Sequence, residues 1–142
     1  MHNADYLSDE ALQLIQRLSI HSANIAPEFG LTETRAFMGL LESAPTDGLL
    51  EQFSELAIAS GRWKKWLLPE TQPTPRELTL IAGHYVFSHP EFIRIKENAA
   101  KLLNMTLGGI DDHLKNAVRQ SMMRYMKNFR LIKEAAVAAA AA

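Results

Sequence analysis

Between residues 110 and 132, Ile110, Leu114, Ala117, Val118, Ser121, Tyr125, Phe129 and Ile132 follow one another at three- and four-residue steps, broken only by the adjacent pair at 117 and 118. That spacing matches the 3.6-residue period of an α-helix and not the two-residue period of a strand, so it predicts one long amphipathic helix near the C-terminus. Met122, Met123, Met126 and Leu131 widen its apolar face beyond a narrow seam. A rod this broad is either the central member of a helical fold or has one side left over for a partner, and periodicity alone does not separate the two.

Local punctuation divides the rest of the chain into further helices. Ser8 can cap a first helix running to about residue 26, with Asp9 and Glu10 in its first turn and Leu12, Ile15, Leu18, Ile20 and Ile25 as its inward side. Pro27 and Gly30 break that run, and a short second helix starts at Leu31 or Thr32, buries Ala36, Phe37, Leu40 and Leu41, and ends at Pro45. Asp47 is the expected cap of a third helix carrying Leu50, Phe53, Leu56, Ala57 and Ile58, and Gly61 its terminator. "RWKKWLLP" reads as one more turn, with Trp63 and Trp66 anchored on one face and lysines between them reaching solvent. The proline-rich "LPETQPTP" at 68–75 is a crossover within one bundle.

Two helix starts follow closely. Thr74, Pro75 and Glu77 supply a cap, a first-turn proline and a capping-box acid; Ser88, His89, Pro90 and Glu91 repeat the pattern. The intervening "LTLIAGHYVF" is rich in β-formers, but it does not alternate strictly, so helix is preferred to strand. The helix after Ser88 is expected to stop near Gly108 and Gly109, and the last helix to start near Ile110 and continue to 133. These readings add up to an all-α, irregular helical bundle of five or six helices with a long C-terminal helix, one domain over 1–142, with 134–142 as a frayed tail.

A chain of 142 residues, 47% hydrophobic and 22% charged, is of ordinary single-domain size and has enough apolar surface for one core. It has no cysteine, which removes disulfides, thiol nucleophiles and thiolate metal ligands at once. The first residues lack a basic stretch followed by an apolar one, and no apolar run is long enough to span a bilayer, so the expectation is a cytoplasmic protein with no membrane partner. The net charge of −1 hides an asymmetry: residues 1–75 hold five basic and ten acidic side chains, residues 76–142 ten and six. Residues 115–133 hold six bases and no acid, which suits either an acidic partner or a solvated helix face with its positive charge towards the favourable C-terminal end.

These residues bear on four kinds of function. A nucleic-acid regulator would use the basic C-terminal half, with Arg94, Asn98 and Lys101 as a stripe on the helix after Ser88, although Glu91 continues that stripe with the wrong charge. A metal site would have to draw on Glu77, His84, His89 and His113; their spacing matches no ligand motif, so no metal and no cofactor are expected. A small helical enzyme would centre on a polar pocket near His84, with Tyr85 orienting a substrate and Glu77 or Glu91 tuning the imidazole. On a continuous helix, however, adjacent His84 and Tyr85 point in different directions. The preferred reading is a protein–protein interaction module or small regulatory subunit, with itself as one possible partner. Met122, Tyr125, Met126 and Phe129 would be its contact anchors, and Arg119, Lys127 and Arg130 would attract an acidic face.

Overall fold

Six helices account for most of the chain: α1 (Asp9–Arg17), α2 (Pro27–Glu42), α3 (Leu49–Ala59), α4 (Pro75–Ala82), α5 (Pro90–Leu102) and α6 (Leu107–Asn128). They come from a computed structural model that describes residues 1–43 and 45–131, and no strand occurs among those residues. The all-helical reading therefore holds, including "LTLIAGHYVF", which forms α4 and a following 3-10 turn at Gly83–Val86. Ile132, Lys133 and the tail expected at 134–142 lie outside the described residues.

The helix starts set by adjacent residues fall where the sequence puts them. Ser8 Oγ accepts from the Ala11 amide at 3.2 Å. Thr74 and Glu77 form a complete capping box, with the Thr74 amide donating to Glu77 at 2.7 Å and the Glu77 amide donating to Thr74 Oγ1 at 3.2 Å. At α5 the cap is His89 rather than Ser88: its Nδ1 accepts from the Glu91 amide at 3.1 Å.

Other boundaries move, each for an identifiable reason. The first helix ends at Arg17, not near 26, because Ser19 turns left-handed (φ 57°) and the Ile20 amide bonds back to the Ile15 carbonyl at 3.3 Å. Residues 22–24 then run beside the N-terminus, where Ala4 and Asn24 donate to Asn24 and Met1 carbonyls at 2.9 and 3.1 Å. Pro27 is the first residue of α2, not only a breaker, and Gly30 lies inside that helix. The cap for α2 comes from 21 residues away, since Asp5 Oδ1 accepts from the Ala26 and Glu28 amides at 3.1 and 2.9 Å. Gly48 (φ 76°), not Asp47, precedes α3, while Gly61 (φ 65°) ends it as expected. Gly108 and Gly109 are not a helix stop but the first turn of α6: Asn104 (φ 53°) closes α5, and Thr106 Oγ1 caps α6 by accepting from Gly109 at 2.9 Å.

The core has two parts. The larger joins α2, α3, α5 and the start of α6 through Phe37, Leu41, Phe53, Phe92, Ile95 and Ile110. Its aromatic centre is tightly meshed: Phe37 meets Phe53 edge-on at 5.0 Å, and Phe87 stacks on Phe92 at 4.5 Å with 19° between planes. Gly83 is required beside it, because a Cβ there would lie 2.8 Å from the Phe53 ring. The smaller core ties α1 and the N-terminal strap, residues 1–7, to the far end of α6 through Ala4, Leu12, Ile15 and Tyr125, with Phe29 and Phe129 packed against them. At its edge, Arg124 pairs with Asp9 at 2.8 Å and Asn128 donates to the same carboxylate at 3.0 Å.

Candidate functional site

The α2–α6 packing leaves an open groove of about 670 Å³. Met122, Met123, Met126 and Val118 of α6 form one wall, and Phe29 and Glu33 of α2 stand on the other. These α6 positions are one apolar stripe carried onto a surface, because the helix buries its other side with Ile110, Leu114 and Tyr125. Met122 is 46% exposed. Lys115 and Arg119, two turns and one turn before Met122, bring positive charge to the groove, and both are exposed. Neither forms an ion pair with a carboxylate of the described residues. The one acid among the described residues lining the groove, Glu33, has its carboxyl pushed up from the ordinary 4.5 by burial and then by the charge of Asp111. The groove is thus apolar with a net positive border.

Of the residues expected to contact a partner, Met122, Met126 and Arg119 meet here. Tyr125 does not. It is 3% exposed, donates its hydroxyl to Glu28, and meets Phe29 edge-on at 6.0 Å, so it anchors the smaller core instead of a surface. Phe129 packs against the same core and is only partly exposed. The helical period put Tyr125 in line with the other apolar residues but could not show that the N-terminal strap covers that end of α6. Lys127 and Arg130 are exposed outside the groove lining, and Arg130 (φ 57°) closes the helix, so the rod ends at Asn128 and not at 133. Lys115, Val118, Phe29 and Glu33 were not among the expected anchors. Lys115 and Val118 could have been found by extending the Met122 and Met126 stripe back two turns, whereas the α2 side had no local signal.

At its inner end the groove reaches His84. The imidazole lies flat against Gly30, where an added Cβ would stand 2.7 Å from the ring, and this contact explains a glycine in the first turn of α2. Its Nδ1 is buried with no hydrogen-bond partner among the described residues. Burial first, then the positive charges of Arg62 and Lys65, hold the imidazole below its ordinary value of 6.5. The other side of His84 lines a second, smaller pocket with Tyr6, Leu31, Trp66, Ile81 and Tyr85.

The acid–base arrangement expected around His84 is not assembled. Glu77 is engaged in the α4 capping box, and Glu91 lies at the start of α5 beside another groove. The groups that shift the imidazole are cations, not carboxylates. Contrary to the expectation for a continuous helix, His84 and Tyr85 do meet, with ring centroids 4.0 Å apart, because the chain winds there as a 3-10 turn. Trp63 and Trp66 also diverge from the expected pair of anchors: Trp63 donates to the Ile58 carbonyl at 2.9 Å and is half-buried, while Trp66 is 44% exposed.

Arg94 and Asn98 of the α5 stripe line a groove of about 420 Å³ together with Glu55 and Glu91. Two carboxylates beside one guanidinium oppose a phosphate backbone. Lys101 lies farther along α5, beside Glu97. Among the described residues, no group of three His, Asp or Glu side chains is placed to hold a metal ion, and no helix is long and apolar enough to cross a membrane. No family model, curated protein or solved structure matches the chain.

Proposed function

We propose that the chain is a protein–protein interaction module, a small accessory or regulatory subunit that receives an apolar, acid-flanked segment of a partner in the groove between α2 and α6. One observation carries this reading: three methionines line an open groove whose bordering cations, Lys115 and Arg119, have no carboxylate paired with them in the described chain. Methionine side chains are flexible and polarisable, so they repack around an incoming apolar face with little strain. The basic border supplies orientation and a faster encounter with an acidic segment. A groove between two helices is also the shape that accepts a third amphipathic element.

The test is calorimetric titration with a synthetic amphipathic helix bearing leucines on one face and glutamates along its edges. Saturable binding is expected to weaken by about tenfold or more in the Lys115→Glu, Arg119→Glu double variant. Met122→Ser with Met126→Ser is expected to remove it, while the helical circular dichroism is retained. A peptide that does not bind, or binds both variants as well as the parent, refutes the reading.

A second copy of the chain is the other possible occupant. It is less favoured because Tyr125 and Phe129, its would-be aromatic anchors, are spent inside the subunit. Sedimentation over a concentration series decides this point, since a homodimer through the groove must dissociate on dilution.

A further inference from the structure

On the far side of His84 from the methionine groove is a pocket of about 230 Å³ with a different character. Three aromatic side chains, Tyr6, Trp66 and Tyr85, stand around it, with Leu31 and Ile81 as aliphatic walls. It is smaller than the roughly 300–1,000 Å³ of pockets that hold drug-sized ligands, which limits an occupant to about one or two rings. Two cations stand beside its Trp66–Tyr85 end, next to the lining rings, while the carboxylates of Asp5 and Glu28 act on Tyr6 at the other. The Arg62 guanidinium lies 4.7 Å from the Tyr85 ring centroid, and Lys65 Nζ lies 4.8 Å from that of Trp66 and 5.7 Å from that of Tyr85.

Among the described residues no acid lines the pocket, and neither cation is ion-paired with a carboxylate. The carboxylates near Tyr6 face the helix ends more than the pocket: Asp5 Oδ1 accepts from two α2 amides, its Oδ2 being buried without a partner among the described residues, and Glu28 receives the Tyr6 amide and the Tyr125 hydroxyl and faces Arg124 at 3.6 Å. Tyr85 Oη accepts from Trp66 Nε1 at 3.2 Å, which leaves the phenolic proton able to donate to a ligand.

We propose that this pocket binds a small aromatic carboxylate, its ring among Tyr6, Trp66 and Tyr85 and its anion at the rim, towards Arg62 and Lys65, which stand beside the lining rings. Aromatic walls equally suggest a cage for an organic cation. Here, however, the Tyr85 and Trp66 rings already carry the protein's own two cations, and a third positive charge would be repelled. The site does not depend on the methionine groove, from which His84 and Gly30 divide it.

The experiment is a nuclear magnetic resonance titration of the whole chain with 2-naphthoate, 2-naphthamide and 2-naphthylmethylammonium, following the indole N–H signals of Trp63 and Trp66. The carboxylate is expected to bind about tenfold tighter than the amide and to shift Trp66 and not Trp63. Because Arg62 and Lys65 are exposed, Arg62→Gln with Lys65→Gln should preserve the fold and the amide affinity while erasing the carboxylate's advantage. Trp66→Phe serves to assign the reporting signal. The inference is overturned by an ammonium compound that binds as tightly as the carboxylate, by a carboxylate whose advantage survives the double variant, or by a Trp66 signal that none of the three compounds moves.

Discussion

Asp5 and His84 show how much of this fold depends on single side chains acting over long sequence separations. Asp5 caps α2 across 21 residues, so Asp5→Ala is expected to cost about 1 kcal/mol in denaturant unfolding, the size of a local cap. The capping box at Thr74 was legible because its partners are three residues apart; the Asp5 cap was not, because nothing near Ala26 announces it. His84 makes a pH-dependent contribution whose sign follows from its neighbours. Its folded value lies below 6.5, so the unfolded chain binds the proton more readily. The stabilising preference for neutral imidazole is therefore fully present above 6.5 and is lost as pH falls towards the folded value. Glu33, raised from 4.5, acts in the opposite sense: its burden is absent in acid and grows as pH rises through 4.5. Thermal unfolding of the parent and of His84→Gln across that range isolates the histidine, and the gap between them should shift against the parent on acidification.

At the scale of whole elements, helix identity was legible and helix ends were less so. Apolar spacing and capping residues are local, and they placed all six helices; the ends of α1, α5 and α6 depend on Ser19, Asn104 and Arg130 taking a left-handed conformation usually given to glycine. Ser19 and Arg130 carry a steric cost there, so Ser19→Gly and Arg130→Gly are each expected to raise stability by about 1 kcal/mol in equilibrium unfolding. Gly108 and Gly109 misled in the reverse direction: they looked like a terminator, but Thr106 holds them in the first turn of α6. The same helix assigns Tyr125 to the interior. Tyr125→Ala should therefore destabilise the chain by about 3 kcal/mol or more, whereas a surface anchor would be neutral in the unbound protein.

For the molecule as a whole, the acidic first half and basic second half partly answer one another across the fold. Arg124 meets Asp9 and Glu28, and Arg76 meets Glu42. Lys115 and Arg119 beside the methionines, and Arg62 and Lys65 beside the aromatic pocket, are among the cations with no ion pair to a carboxylate of the described residues. The Met122 and Met126 half of the groove was legible from helical spacing, while the α2 half and the partition at His84 arise only when distant segments pack. On the proposed function, the methionine wall that the described residues leave open receives an acidic apolar segment. Methionine-methyl resonance spectra, recorded while the amphipathic acidic peptide is added, test it directly. The account predicts shifts at Met122, Met123 and Met126, with Met38 of the larger core unmoved; saturable peptide binding that leaves the three groove methyls unchanged would contradict it.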